Sequence, residues 1–225
     1  MERYKRNYSS VSKEEQETLG NVTVAIVGLG GLGGYVLENL VRLGVRNFHL
    51  IDKDVFDITN LNRQVLATEK NLGKIKVEEG LNRALAIDHN VKAKIFHSKI
   101  DDNSIEMLEG VDIVVDCLDS IEGRCQLETL CDKMDLYLIH GAIRGYYGQV
   151  AVSKPDNRIF TKIYGRSKID DESLGNLPMT CMMTASLQVN LLLKVLFNKA
   201  IEDELILLDC KDMEIEKLKI NGDLM

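Results

Sequence analysis

Proline is almost missing from this chain: two among 225 residues, with no low-complexity stretch, so no linker divides it. Basic charge is not in excess either. Lys and Arg total 28 against 35 Asp and Glu, and the net charge of −7 excludes a nucleic-acid surface covering the whole molecule. It does not exclude a local basic pocket, because field follows clustering rather than the sum. No apolar leader is present: residues 1–15 are charged. The most apolar long stretch, 179–197, is broken by Thr180, Thr184, Ser186, Gln188, Asn190 and Lys194, and reads as too polar to span a bilayer. Cysteine is sparse, five in all, and none forms a C-x-x-C pair. An odd set of scattered thiols without a signal points to the reducing cytoplasm. What remains is a globular composition, 45% hydrophobic and 28% charged, enough for a sizeable core in one large domain.

Residues 22–27 form a short apolar run rich in valine, the pattern of a buried strand. Six residues with four glycines follow, then Leu32, Val36, Leu37, Leu40 and Leu43 at helical spacing, with Gly44 as the cap. Residues 48–52 make the next strand and complete a βαβ unit. Further on the pattern predicts a helix over 74–87, a strand over 91–97 with Val91, Ala93 and Ile95 on one face, and a strand over 111–117. A helix to Met134, strands 136–142 and 148–152, a long polar connection 153–177, a helix 179–198 and a last strand 205–208 complete the chain. This alternation predicts an α/β fold of Rossmann-like, doubly wound type: a largely parallel sheet, helices on both faces, and a C-terminal antiparallel extension.

Gly28-x-Gly30-x-x-Gly33 lies between a strand and a helix, the context in which this spacing binds phosphate. Glycine permits a tight turn and lets backbone N–H groups, Gly31 included, approach phosphate oxygens at the helix N-terminus. Asp52, about 20 residues on at a strand end, stands where an acid accepts hydrogen bonds from ribose hydroxyls. NAD, FAD and ATP all remain open at this point. The bland alternative is a packing turn without a ligand.

The next segment runs Asp54-Val-Phe-Asp-Ile-Thr59-Asn60-Leu-Asn62-Arg63-Gln64, and then Gly73-Lys-Ile-Lys76. A triphosphate carries about four charges and needs fixed cations and a metal where a dinucleotide does not. Arg63 offers a planar fork of donors and Lys76 a compact ammonium. Asp119, beyond the strand 111–117, offers a hard oxygen suited to magnesium. Singly, Arg63 and Lys76 could be solvated surface charges, and Asp119 could be a helix cap with Glu122 completing a capping box.

In this order and spacing the residues resemble the MoeB/ThiF/HesA family of adenylyltransferases, relatives of the ubiquitin-activating enzymes. The resemblance rests on Gly28 to Gly33, Asp52, Asn60 to Gln64, Gly73-x-x-Lys76 and Asp116-Cys-Leu-Asp119-x-x-x-x-Arg124. Gly141 to Arg144, Gly148-Gln149, Ser186-Leu-Gln188 and the opening Arg3-Tyr-Lys-Arg6 extend it from Arg3 to about Leu208. It implies a single domain over 1–225, with an N-terminal helical arm (1–20) and carrier-binding strands, crossover loop and last helix over 136–225. It implies ATP and magnesium as cofactors: Gly31 and its neighbours on the nucleotide, Asp52 on the ribose, Asn60, Arg63 and Lys76 on the phosphates, Asp119 on magnesium. Arg6 matches an arginine that in the family enters the partner subunit's site in a homodimer. The implied partner is a small β-grasp, ubiquitin-like carrier ending in Gly-Gly. Its carboxylate would attack the α-phosphorus of ATP to give an acyl adenylate and pyrophosphate; neither a membrane nor nucleic acid is expected.

The sequence also departs from the family. The two C-x-x-C pairs of a structural zinc site are missing, so zinc is not expected. Ser120 replaces the usual asparagine. No cysteine lies between Ser153 and Thr180; Cys181 could have its pKa lowered by a helix dipole but reads better as core, as do Cys117 and Cys125. His140 is expected to pack at a strand end. The rival readings are a tRNA threonylcarbamoyladenosine dehydratase, a nicotinamide oxidoreductase and a non-catalytic scaffold. Overall acidity and the absence of a C-terminal basic stretch speak against the first, and the lack of a hydride-site base against the second.

Overall fold

The computed structural model describes residues 2–155, 157–165 and 174–220. Ser12 opens α1 (Lys13–Asn21): its hydroxyl accepts from the Glu15 N–H while the Glu15 carboxylate accepts from the Ser12 N–H. Such reciprocal capping satisfies donors that a helix start leaves free. Then come β1 (Thr23–Val27), α2 (Gly33–Leu43), β2 (Asn47–Ile51), α3 (Lys76–Ile87), β3 (Lys92–Phe96) and β4 (Ile113–Asp116). The chain continues through α4 (Ile121–Lys133), β5 (Tyr137–Arg144), β6 (Tyr147–Ser153), α5 (Phe160–Tyr164), α6 (Pro178–Leu196), β7 (Glu204–Asp209) and β8 (Glu214–Lys219).

All eight strands join one sheet in the order β3-β2-β1-β4-β5-β6-β7-β8. The first five are mutually parallel, and β6, β7 and β8 add antiparallel. In β1, Val24 and Ile26 enter the core beneath α2, α3 and α6, while Ala25 and Val27 enter the core on the α4 and α5 side. Burial on both faces is why the run lacks polar alternation. Val36, Leu37, Leu40 and Val41 anchor α2, each contributing about 2 kcal/mol of burial. Gly44 ends that helix at φ 110°, where its N–H donates to Leu40 and Val41 carbonyls.

Helix α6 is long and apolar enough to cross a membrane by length and composition alone. Its polar residues Thr180, Thr184 and Gln188 are nevertheless buried, with Thr184 set against Gly148 and Gln188 against Gly141. The sheet is thus the partner of this helix.

The structure corrects several expectations. Strand β8 reads Glu-Ile-Glu-Lys-Leu-Lys, too polar to announce itself; it is the outermost strand, and five of its six residues are exposed. Helix α5 lies inside the connection 153–177, too short at five residues to show a period. On β3, at the other edge of the sheet, Ile95 is 37% exposed. The cap of α4 is Ser120, whose hydroxyl accepts from the Gly123 N–H, and not Asp119. Cys125 lies exposed on α4 rather than in the core.

Candidate active site at the switch of strand order

Strand β1 pairs with β2 on one side and β4 on the other, so strand order reverses at its carboxyl end. A crevice opens at such a point in a doubly wound sheet. The Gly28 N–H donates to Ile51 O at 2.8 Å and the Cys117 N–H to Val27 O at 2.9 Å, tying three strand ends together. Gly28 has φ 94°, and a side chain there would sit 2.6 Å from Cys117 O. A side chain on Gly33 would overlap Gly28 O, so the first turn of α2 closes directly onto the loop. Among the described residues, the N–H groups of Gly30 and Gly31 have no protein acceptor. Together with the start of α2 they form a donor cradle for an anion.

Asp52 follows β2 and is buried; its two oxygens accept from the Leu29 N–H at 2.6 Å and the Asp54 N–H at 2.8 Å. Burial pushes its pKa up, opposed by the Lys76 charge and by these two donors. Lys76 begins α3 and is only 6% exposed, with Nζ 3.5 Å from Asp54 Oδ2. It is not a solvated surface cation. A buried ammonium with one long contact to a half-exposed carboxylate retains donors for another anion.

A short 3₁₀ turn, Ile58–Asn60, carries the next group. Asp57 accepts from the Thr59 N–H, and the buried Asn60 side chain accepts from the Asp57 N–H at 3.1 Å. The Arg63 guanidinium donates to Thr59 O at 3.1 Å and Asn62 Oδ1 at 2.9 Å, while its stem lies under 4 Å from a Cβ position on Gly31. Gln64 is buried beside Gly30, and among the described residues its Oε1 has no partner. Gly30, Gly31, Asp52, Asp54, Thr59, Asn60, Asn62, Arg63, Gln64 and Lys76 are therefore one surface. Asp119 lies two residues past Cys117, which abuts Gly28; its exposed carboxylate takes no hydrogen bond or ion pair among the described residues.

Two candidates stand apart from this arrangement. Arg6 is exposed on an arm pinned by Arg3 and Tyr4 to Asp88, with the Tyr4 ring against Gly44. Gly44 and Asp88 cap the far ends of α2 and α3, so the arm docks at the end of the sheet opposite the glycine loop. The Cys181 sulfur sits 2.9 Å from a Cβ position on Gly31 but is fully buried. Burial pushes its pKa up to about 11, outweighing Arg63 and the helix N–H donors, so it is a protonated thiol and not an activated one.

Sequence reasoning missed two features here. Asn176, at the entry to α6, accepts from Asn62 Nδ2 through its carbonyl at 3.2 Å and bridges to Gly145. His140 does not merely pack at a strand end: it is fully buried with Nδ1 2.7 Å from Asp116 Oδ2. Burial lowers its pKa against the pull of Asp116, so the neutral ring donates from Nδ1 and accepts at Nε2. No local pattern marks either residue.

Comparison with known proteins decides the lineage. The ThiF family matches residues 4–223. The chain belongs to the ThiF family. A molybdopterin-synthase adenylyltransferase of Haemophilus influenzae is 31% identical over 97% of this chain and 94% of its own length. A tRNA threonylcarbamoyladenosine dehydratase of Bacillus subtilis is 37% identical over 62% of this chain and 56% of its own. The crystal structure of Escherichia coli MccB superposes with a TM-score of 0.85 at 20% identity, over 97% of this chain and 69% of that one, a likeness of fold. With these ThiF relatives, the chain is an enzyme of the adenylyltransferase class.

Proposed function

We propose that this ThiF-family enzyme adenylates the C-terminal glycine carboxylate of a small ubiquitin-like sulfur-carrier protein. The observation that carries the reading is the buried Lys76 ammonium beside a glycine loop with free N–H donors, at the sheet's switch point. In this reading the ribose hydroxyls donate to Asp52. The phosphates lie on the Gly30 and Gly31 N–H groups, Arg63, Asn60 and Lys76, with Lys76 leaving Asp54 for them. Arg63 must turn its outer nitrogens from Thr59 O and Asn62 toward the phosphates, a side-chain rotation that its half-buried position allows.

Magnesium fits the donor set. Among the described residues no three Asp, Glu, His or Cys side chains converge as metal ligands. Magnesium at nucleotide sites characteristically takes one or two carboxylates plus phosphate oxygens. Asp119, with its unengaged oxygens, would be that carboxylate, and the ion would neutralise phosphate charge. The acceptor carboxylate is ionised at neutral pH, so no general base is required. Its oxygen forms a bond to the α-phosphorus as the bond to the β-phosphate oxygen breaks. The electron pair departs with pyrophosphate, and the protein contributes positioning and charge neutralisation.

Arg6 cannot line the cleft of its own chain from the opposite end of the sheet. We assign it to the cleft of a second copy in a homodimer. A second reading, a tRNA threonylcarbamoyladenosine dehydratase, draws support from the 37% identity to the Bacillus subtilis enzyme. ATP–pyrophosphate exchange separates the two. Stimulation by a β-grasp carrier ending in Gly-Gly, lost in Lys76→Ala, supports carrier activation. Stimulation by modified tRNA alone would replace it with the second reading.

A further inference from the structure

A buried polar chain on the α4 and α5 side of the sheet takes no part in the cleft just described, yet it ends on the backbone of Leu118, the residue before Asp119. It begins at Tyr164, the last residue of α5. Gln149 Nε2 donates to the Tyr164 hydroxyl at 2.9 Å, and that hydroxyl lies 3.0 Å from His140 Nε2. His140 Nδ1 donates to Asp116 Oδ2, and Asp116 Oδ1 accepts from the Leu118 N–H at 3.0 Å. Arg124 closes the circuit. Its guanidinium donates to Leu118 O, lies 3.5 Å from Asp116 Oδ2, and stands 5.9 Å over the Tyr164 ring. Helix α5 is held in place by Glu128, which accepts from the Ile159 and Phe160 N–H groups, and by the Phe160 ring edge-on to His140 at 4.9 Å.

The consequence is local to Leu118. Asp116 clamps its N–H and Arg124 clamps its carbonyl, and that carbonyl belongs to the peptide group joining Leu118 to Asp119. On the other side, Ser120 is fixed as the cap of α4. The backbone of Asp119 is therefore held from both sides while its own carboxylate stays unengaged.

We propose that His140 and Tyr164 are positioning residues for Asp119: α5 seated on His140 sets the Leu118–Asp119 peptide, and so the carboxylate that meets magnesium–ATP. This rests on the assignment of Asp119 made above. Neither residue lies in the proposed nucleotide cleft; Asp116 transmits the effect of His140 and Arg124 that of Tyr164. Burial pushes the Tyr164 pKa up to about 12, so the hydroxyl stays protonated and keeps donating to His140.

The test is calorimetric titration of the full-length protein with ATP, once in excess magnesium and once in EDTA. Wild-type protein is expected to bind more tightly with magnesium. Tyr164→Phe removes one buried hydrogen bond and is expected to weaken binding about fivefold in magnesium and not at all in EDTA. Arg124→Lys keeps a charge beside Asp116 but loses the donor to Leu118 O; about tenfold weakening, again only in magnesium, is expected. Thermal melts identify folded variants, and Arg124→Lys decides should Tyr164→Phe not fold. Equal weakening in both conditions, or none in either, overturns the proposal and leaves the chain a plain structural network. Asp119→Asn serves as the separate control. If it retains the full magnesium effect, the assignment of Asp119 fails, and the proposal with it, whatever Tyr164→Phe does.

Discussion

The two halves of the sheet are built by different rules. In the parallel half, β3-β2-β1-β4-β5, the central strands β1 and β4 are covered on both faces, and the loops at their carboxyl ends meet in one crevice. The antiparallel half, β6-β7-β8, reaches an edge through the crossover by α6 from β6 to β7 and a hairpin from β7 to β8, and it exposes Tyr147, Met213 and Ile215. The first half concentrates backbone donors and fixed charge, the means of holding a nucleotide. The second presents these apolar side chains to solvent, on β6, on the edge strand β8 and in the turn between β7 and β8. Under the proposed function the two regions would divide the work, nucleotide binding in the first and acceptor choice in the second, so damage to one should spare the function of the other.

The largest effect is expected from Gly33→Ala. The new methyl overlaps Gly28 O, backbone that cannot move without breaking the β1–α2 connection. A loss of about 3 kcal/mol or more is expected in urea unfolding, together with loss of ATP binding. Lys76→Ala should leave folding intact and lower acceptor-stimulated pyrophosphate exchange by about 100-fold, as expected for a charge acting at transferring phosphate. The pair Tyr147→Ser and Met213→Ser should do the reverse of a cleft mutation. ATP affinity by calorimetry is expected unchanged, while the KM for a Gly-Gly-ended carrier rises about tenfold. A change in ATP affinity there would break the division between the halves.

The smallest effect lies at the far end of the molecule. Burial works to raise the Asp88 pKa, but hydrogen bonds from Asn90, Arg46 and Arg3 outweigh it and hold the pKa well below its ordinary value of 3.8. A depressed folded pKa contributes stability that is full above the unfolded pKa and is lost as pH falls toward the folded one. Asp88→Asn should therefore flatten the loss of stability below about pH 4. Arg3 and Arg46 are 42% and 39% exposed, so solvent screening limits the contribution to about 1 kcal/mol. Acid unfolding curves of the two proteins read it directly.

The parallel half was the legible half. Its central strands are apolar runs, its loop has spaced glycines, and its helices keep their period, so the fold and the switch point follow from local pattern, although β3 at its edge carries two lysines. The antiparallel half was legible only to β7, because β8 is an edge strand whose charges face water. Within the site, Lys76 and Arg63 could be named, but not that one is buried and the other lies along Gly31. That depends on how 54–76 folds back over the loop. His140 shows the limit most clearly. A histidine in an apolar strand looks like filler until Asp116, Gln149 and Tyr164, from three other elements, are brought around it. Asp119 shows the reverse error, since a plausible capping box in the sequence yields to Ser120 once the loop geometry is set.

The most direct trial of the account is a crystal structure of the protein with ATP and magnesium. The expected result places phosphate oxygens about 3 Å from the Gly30 and Gly31 N–H groups and from Lys76 Nζ, with the lysine released from Asp54 and the ribose on Asp52. A nucleotide bound away from the end of β1, or a Lys76 still paired to Asp54 with ATP in place, would contradict it.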